Sequence, residues 1–200
     1  TIMKAAANGV RQVSLELGGK NAGIVFADCD MDKAIEGTLR SAFANCGQVC
    51  LGTERVYVQR PIFDEFVARL KAGAEQLVLG PPDDATSNFG PLISLKHREK
   101  VLSYYQKAVE DGATVITGGG VPDMPAELAH GAWVQPTIWT DLKDDSAVVT
   151  EEIFGPCCHI RPFDSEEEAV ALANSLPYGL ASAVWTENVT RAHRVASQLE

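Results

Sequence analysis

The sequence predicts an α/β protein built on a doubly wound, mostly parallel sheet. Three observations carry that expectation. Strand-like and helical segments alternate along the chain, as they do where crossover helices cover a parallel sheet. No repeat, low-complexity tract or linker breaks the alternation. With 46% hydrophobic and 22% charged residues, 200 residues are enough for one sizeable core.

Taken in order, Ile2 to Ala7 reads as a helix stopped at Gly9. Arg11 to Leu17 alternates like a strand and would deliver Glu16 to a loop, and Asn21 to Phe26 reads as a second strand. Asp28 or Asp30 can cap a helix from Met31 to about Asn45, with Ile35, Leu39, Ala42 and Phe43 on its apolar stripe. Glu54 to Gln59 is again strand-like. Pro61 suits the first turn of a helix that buries Phe63, Phe66, Val67 and Leu70. Pro81 to Asp84 is a turn, and Ser94 opens a helix that stops at Gly112.

Ala113 to Thr117 reads as a buried strand, followed by a loop at Gly118-Gly119-Gly120. Trp133 to Trp139 is strand-like despite Pro136, which points to an edge or irregular strand. Cys158 to Phe163 is a strand whose alternation would put one of the adjacent Cys157 and Cys158 in the core. Ser165 to Asn174 is a helix with an acidic first turn, which suits the helix dipole. Leu180 to Trp185 is the last strand, and Asn188 caps the last helix. Thr1 is not an initiator methionine, and Val189 to Leu199 is still in helical period at the other end. The expectation is an internal piece of a longer protein.

A net charge of −10 with scattered basic residues argues against nucleic acid or an anionic membrane as partner. No apolar run approaches the roughly 20 residues that span a bilayer. The five cysteines (29, 46, 50, 157, 158) form no disulfide framework, so a reduced, cytoplasmic setting is expected.

Two stretches carry chemistry. Phe43-Ala44-Asn45-Cys46-Gly47-Gln48-Val49-Cys50 offers a thiol on a Gly-containing loop after a helix. Glu16-Leu17-Gly18-Gly19-Lys20 offers a carboxylate beside two glycines that let backbone approach a ligand. A thiolate nucleophile and a separate base suit a covalent adduct that water releases. By themselves these residues leave other options open. A lone cysteine is most often a small buried hydrophobe, and the end of the preceding helix would oppose thiolate formation. Cys46-x-x-x-Cys50 could be half a metal site, but nothing completes it and no metal is expected. Gly19-Lys20 lacks the other residues of a P-loop. A Cys–His hydrolase is the reading from another class, weakened because His97, His130, His159 and His193 form no cluster.

Leu15 to Lys20, Asn45-x-Gly47-Gln48-x-Cys50 and Glu151-Glu152-Ile153-Phe154-Gly155-Pro156 occur in the order and spacing of the aldehyde dehydrogenase superfamily, which the chain resembles from end to end. The resemblance implies that Cys50 attacks an aldehyde and that Glu16 activates water against the resulting thioester, which favours hydrolysis over transfer to coenzyme A. It implies that the Leu17 backbone lies beside the nicotinamide carboxamide of NAD or NADP, that Gly18 also contacts the cofactor, that Glu152 binds the adjoining ribose, and that Phe154 packs near the nicotinamide. It also implies that residues 1–17 end a coenzyme-binding domain and residues 18–200 belong to the catalytic domain. The full-length enzyme would be a homodimer or homotetramer, and this piece alone inactive.

Within the superfamily, Phe43 to Val58 and Glu151 to Glu168 resemble most the bacterial 2-hydroxymuconic semialdehyde dehydrogenases of aromatic meta-cleavage catabolism. Aminomuconic semialdehyde and betaine aldehyde enzymes are the alternatives.

Overall fold

A computed structural model describes the whole chain, Thr1–Glu200. Its helices are α1 (Ile2–Ala7), α2 (Met31–Phe43), α3 (Phe63–Glu75), α4 (Leu95–Glu110), α5 (Ala147–Thr150), α6 (Glu166–Ala173) and α7 (Val189–Ala196). Its strands are β1 (Asn21–Val25), β2 (Thr53–Gln59), β3 (Thr114–Thr117), β4 (Thr137–Thr140), β5 (Cys157–Phe163) and β6 (Ser182–Trp185). The strands form one sheet in the order β3-β4-β5-β2-β1-β6. Every pairing is parallel except that of β3 with β4. No helix is long and apolar enough to cross a membrane.

The two-residue period of the strands separates two cores. Ala22, Ile24, Phe26 and Tyr57 join Ala169, Ala173 and Val195 of α6 and α7 on one face. Val25, Val56 and Val58 join residues of α2, α3 and α4 on the other. Side chains close the helix starts as the sequence requires. Asp30, Ser94, Ser165 and Asn188 each accept a bond from the backbone N–H three residues on, a contact worth about 1 kcal/mol.

Several expectations are corrected. Arg11 to Leu17 forms no strand. Both edges of β1 are taken, by β2 and β6, so the segment cannot pair with the strand it leads into, and Leu15 and Leu17 stay exposed at 42% and 80%. The strand β3 is not buried, because it is the edge strand and its first two residues face solvent. The ladder expected from Trp133 begins only at Thr137, since Pro136 has no N–H to donate. Cys157 and Cys158 are both buried, because β5 has a strand on each edge and is covered on both faces. Helix α2 ends at Phe43 rather than near Asn45, and Asn45 and Cys46 then take left-handed φ values of 50° and 57°. The four-residue α5 is too short to leave a helical period in the sequence.

Because β1, β2 and β5 are parallel neighbours, their amino ends lie side by side. The chain entering β1 carries Glu16 to Lys20, the chain entering β2 carries Cys50, and the chain entering β5 carries Glu151 to Pro156. Ligands of open α/β sheets usually sit at the carboxyl ends of strands. Here the three motifs gather at the opposite edge.

Candidate active site

Cys50 sits in the turn between the 3-10 segment Ala44–Gly47 and β2, half-exposed. Asn21 Nδ2 donates to the carbonyls of Cys50 and Gly52, each at 2.8 Å. The Asn21 Oδ1 accepts from Ala181 N at 3.1 Å, so one side chain joins the starts of β1, β2 and β6. Upstream, Gln48 Oε1 accepts from Ile93 N at 3.0 Å. The Cys50 amide itself donates to no backbone carbonyl, which leaves it free to serve as an oxyanion donor. The left-handed turn at Asn45 and Cys46 separates Cys50 from the end of α2, so the unfavourable helix dipole expected from the sequence falls off before it reaches the thiol.

Of the remaining cysteines, Cys29 is half-buried and Cys46, Cys157 and Cys158 are buried. Burial pushes the thiol pKa of Cys29, Cys46 and Cys157 up and that of Cys158 up to about 12. Cys46 also donates its Sγ proton to the Gly90 carbonyl at 3.0 Å. No group of His, Cys, Asp and Glu is arranged to hold a metal.

The first and third motifs touch. Gly19 N donates to Glu152 Oε1 at 2.9 Å. Gly18 has φ +79°, and a Cβ there would fall 2.5 Å from Glu152 Oε2, so both the backbone angle and the carboxylate demand glycine. The second and third motifs touch as well. Gly47 has φ +69°, and a Cβ there would lie 2.0 Å from the Gly155 carbonyl. Glu151 points away from this junction and accepts from Tyr104 OH at 2.6 Å. Burial and that carboxylate raise the Tyr104 pKa to about 12.

Phe154 is half-buried and left-handed, with φ 61°. Its N–H donates to Glu54 Oε1 at 2.9 Å and its carbonyl faces His97 Nε2 at 2.7 Å. Glu54 also accepts from Ile153 N at 3.1 Å and pairs with the buried Lys20 ammonium. The buried Arg55 guanidinium ties the Lys20 carbonyl (2.7 Å) to the carbonyls of Leu172 and Ala173 at the end of α6 (both 2.9 Å). Leu17 is exposed, and so is Glu16, with no hydrogen bond to Cys50. The fold thus brings the segments of Cys50, Gly18, Glu152 and Phe154 to one edge of the sheet and does not tie Glu16 to them by any hydrogen bond.

Sequence reasoning did not single out Lys20, Asn21, Glu54 or His97 as site residues. For Glu54 a signal existed. Two successive charges, Glu54-Arg55, open an otherwise apolar central strand, where a charge survives only if paired.

The arrangement suits a cysteine adduct beside a diol-binding carboxylate. Glu152 has one oxygen committed to Gly19 N and its second beside Gly18, while the half-buried Phe154 ring stands edge-on to His97, with centroids 6.3 Å apart. That donor set fits the ribose and nicotinamide of a dinucleotide.

Known proteins resemble the chain from end to end. The family model described as "Aldehyde dehydrogenase family" matches residues 1–200. The chain is 86% identical over 200 residues to 2-hydroxymuconic semialdehyde dehydrogenase of Pseudomonas putida, covering all of this chain and 41% of that protein. It is 55% identical to 2-aminomuconic 6-semialdehyde dehydrogenase of a Pseudomonas species, over 98% of this chain and 40% of that one. The crystal structure of betaine aldehyde dehydrogenase from Staphylococcus aureus in complex with NAD+ superposes with a TM-score of 0.93 at 41% identity, over 99% of this chain and 39% of that one. The chain spans about 40% of the length of the curated relatives it matches.

Proposed function

The chain belongs to the aldehyde dehydrogenase family, and from that membership we propose that the whole protein oxidises an aldehyde to a carboxylic acid through a thioester on Cys50. The meeting of three motifs at the amino ends of β1, β2 and β5 carries the reading. The substrate we assign is 2-hydroxymuconic semialdehyde, because of the 86% identity to the Pseudomonas putida enzyme.

The Cys50 thiolate adds to the aldehyde carbon, and the free Cys50 N–H donates to the oxyanion that forms. NAD, when bound, supplies the hydride acceptor, a choice supported by the NAD+ complex of the structural relative. Glu152 would hold the ribose next to the nicotinamide, with Gly18 leaving room for it, the Leu17 backbone would face the carboxamide, and Phe154 would limit where the ring can sit. Glu16 takes a proton from water, which attacks the thioester carbon. The carbon–sulfur bond breaks, giving the acid and the free thiolate. Hydride transfer needs Cys50, and hydrolysis needs Glu16 as well.

Residues 1–17 belong in this reading to the end of the coenzyme-binding domain and residues 18–200 to the catalytic domain. The exposed Val10, Leu15 and Leu17 support a further surface against the first segment. Five free thiols support a reducing, cytoplasmic setting. The family resemblance supports a homodimer or homotetramer.

Rapid mixing of the whole protein with NAD and the aldehyde tests the chemistry. Glu16→Gln gives a burst of NADH of about one per site and then slow turnover, while Cys50→Ala gives neither. A proportional loss of burst and steady state in Glu16→Gln would remove Glu16 from the hydrolytic step. Turnover in Cys50→Ala would end the thioester reading.

A further inference from the structure

We propose that the buried Lys20–Glu54 pair is the positioning element of the cofactor turn, locking Phe154 in its left-handed conformation and so setting where Glu152 and Phe154 present themselves. The inference rests on the reading that Glu152 and Phe154 face the nicotinamide half of NAD.

Lys20 is 1% exposed and Glu54 8% exposed. A buried ion pair seldom stabilises a fold more than apolar residues of the same shape would, so its presence calls for another reason. Glu54 supplies one. Its two oxygens accept the successive amides of Ile153 (3.1 Å) and Phe154 (2.9 Å). Successive N–H groups converge on one anion only where the chain turns in a nest-like way. Phe154 makes that turn with φ 61°, a conformation bulky residues avoid unless their surroundings impose it. From the other side His97 engages the Phe154 carbonyl at 2.7 Å.

The pair also connects the turn to the rest of the site. Lys20 follows Gly19, whose N–H holds Glu152 Oε1 at 2.9 Å. Glu54 lies four residues beyond Cys50, in the strand that the cysteine loop enters. Between Glu152 and Phe154, Ile153 is 1% exposed and anchored in the core, so the carboxylate that fixes its amide fixes both neighbours. Lys20 supplies the charge that makes this acceptor affordable in the interior. Neither residue touches the reacting atoms.

The double variant Lys20→Met/Glu54→Gln removes both charges at once, strands neither, and leaves one acceptor oxygen for two amides. Glu54→Asp keeps the charge on a shorter arm. Both are compared with wild type in the whole protein by titration with NAD and with ADP, which reaches only the adenine end. Hydrogen exchange at the Ile153 and Phe154 amides and single-turnover NADH formation complete the comparison. In the double variant, exchange at these amides accelerates, NAD affinity falls roughly tenfold, ADP affinity stays within about twofold, and hydride transfer slows roughly tenfold or more. Glu54→Asp falls between.

Equal losses of NAD and ADP affinity would overturn the proposal and leave the pair a support of the fold. Unchanged amide exchange would overturn it too, as would faster exchange with NAD affinity intact. A wild-type protein that binds NAD but forms no NADH with any aldehyde overturns the proposed reaction alone. The exchange and affinity comparison still decides the positioning role.

Discussion

Asn21 holds the carbonyl of Cys50, its Nδ2 donating to that oxygen at 2.8 Å. The same group donates to Gly52 O at 2.8 Å, and Oδ1 accepts from Ala181 N at 3.1 Å. Removing the side chain leaves these partly buried groups unpaired, at a cost of about 1–3 kcal/mol. Asn21→Ala in the whole protein therefore lowers thermal stability and slows NADH formation roughly ten- to a hundredfold, because a loop displaced by a fraction of an ångström misaligns the attack. Asn21→Asp does worse, since it points an anion at two carbonyls. Steady-state assays and melting curves of both variants check this, and an Ala variant with full activity would show the clamp to be dispensable.

Glu152 and Glu151 are adjacent but face different partners, Gly19 N for the first and Tyr104 OH for the second. Glu152→Gln is expected to slow single-turnover hydride transfer roughly ten- to a hundredfold, the loss of one charged acceptor being worth about 1.5–3 kcal/mol. Glu151→Gln retains an acceptor for Tyr104 and changes little. Equal effects from the two would mean that the ribose contact lies elsewhere.

His159 links the fold to pH. Its Nε2 accepts from Leu142 N at 3.3 Å, and burial lowers its pKa to about 4 from an ordinary 6.5. The unfolded chain binds a proton below 6.5 that the folded chain refuses until about 4. Stability is thus full above the unfolded value and is lost as pH falls through that window. From pH 7 to pH 5 the loss amounts to about 2 kcal/mol from this residue. Chemical denaturation of wild type and His159→Gln at the two pH values reads it out. The variant's pH slope should be shallower by that amount, and parallel slopes would place the sensitivity in other groups.

Much of the framework could be read from the chain. The strand-like runs from Asn21 and Glu54 and the capped helices at Asp30, Ser94, Ser165 and Asn188 are local signals, and they fold as they read. Arg11 to Leu17 shows the limit. Its alternation is as regular as that of a strand, but a ladder needs a free edge, and the neighbouring edges of β1 are occupied. The depth of burial at β3 and at Cys157-Cys158 follows from each strand's place in the sheet order, which no local pattern encodes. At the site, the motif residues were visible by type and spacing. The groups that hold them were not, because Asn21 meets Ala181 and Glu54 meets Phe154 across separations of 160 and 100 residues.

Those separations also set an order of events during synthesis. Asn21 leaves the ribosome long before Ala181, 160 residues later. At the usual 5–20 residues per second the interval is roughly 8–32 s. Once β2 has followed, for the larger part of that interval, the nascent chain carries the Cys50 thiol on a loop lacking its third anchor, and β1 with one edge unpaired. A chaperone that shields this edge, or an oxidant that finds the thiol early, therefore has a window of seconds that closes when β6 docks.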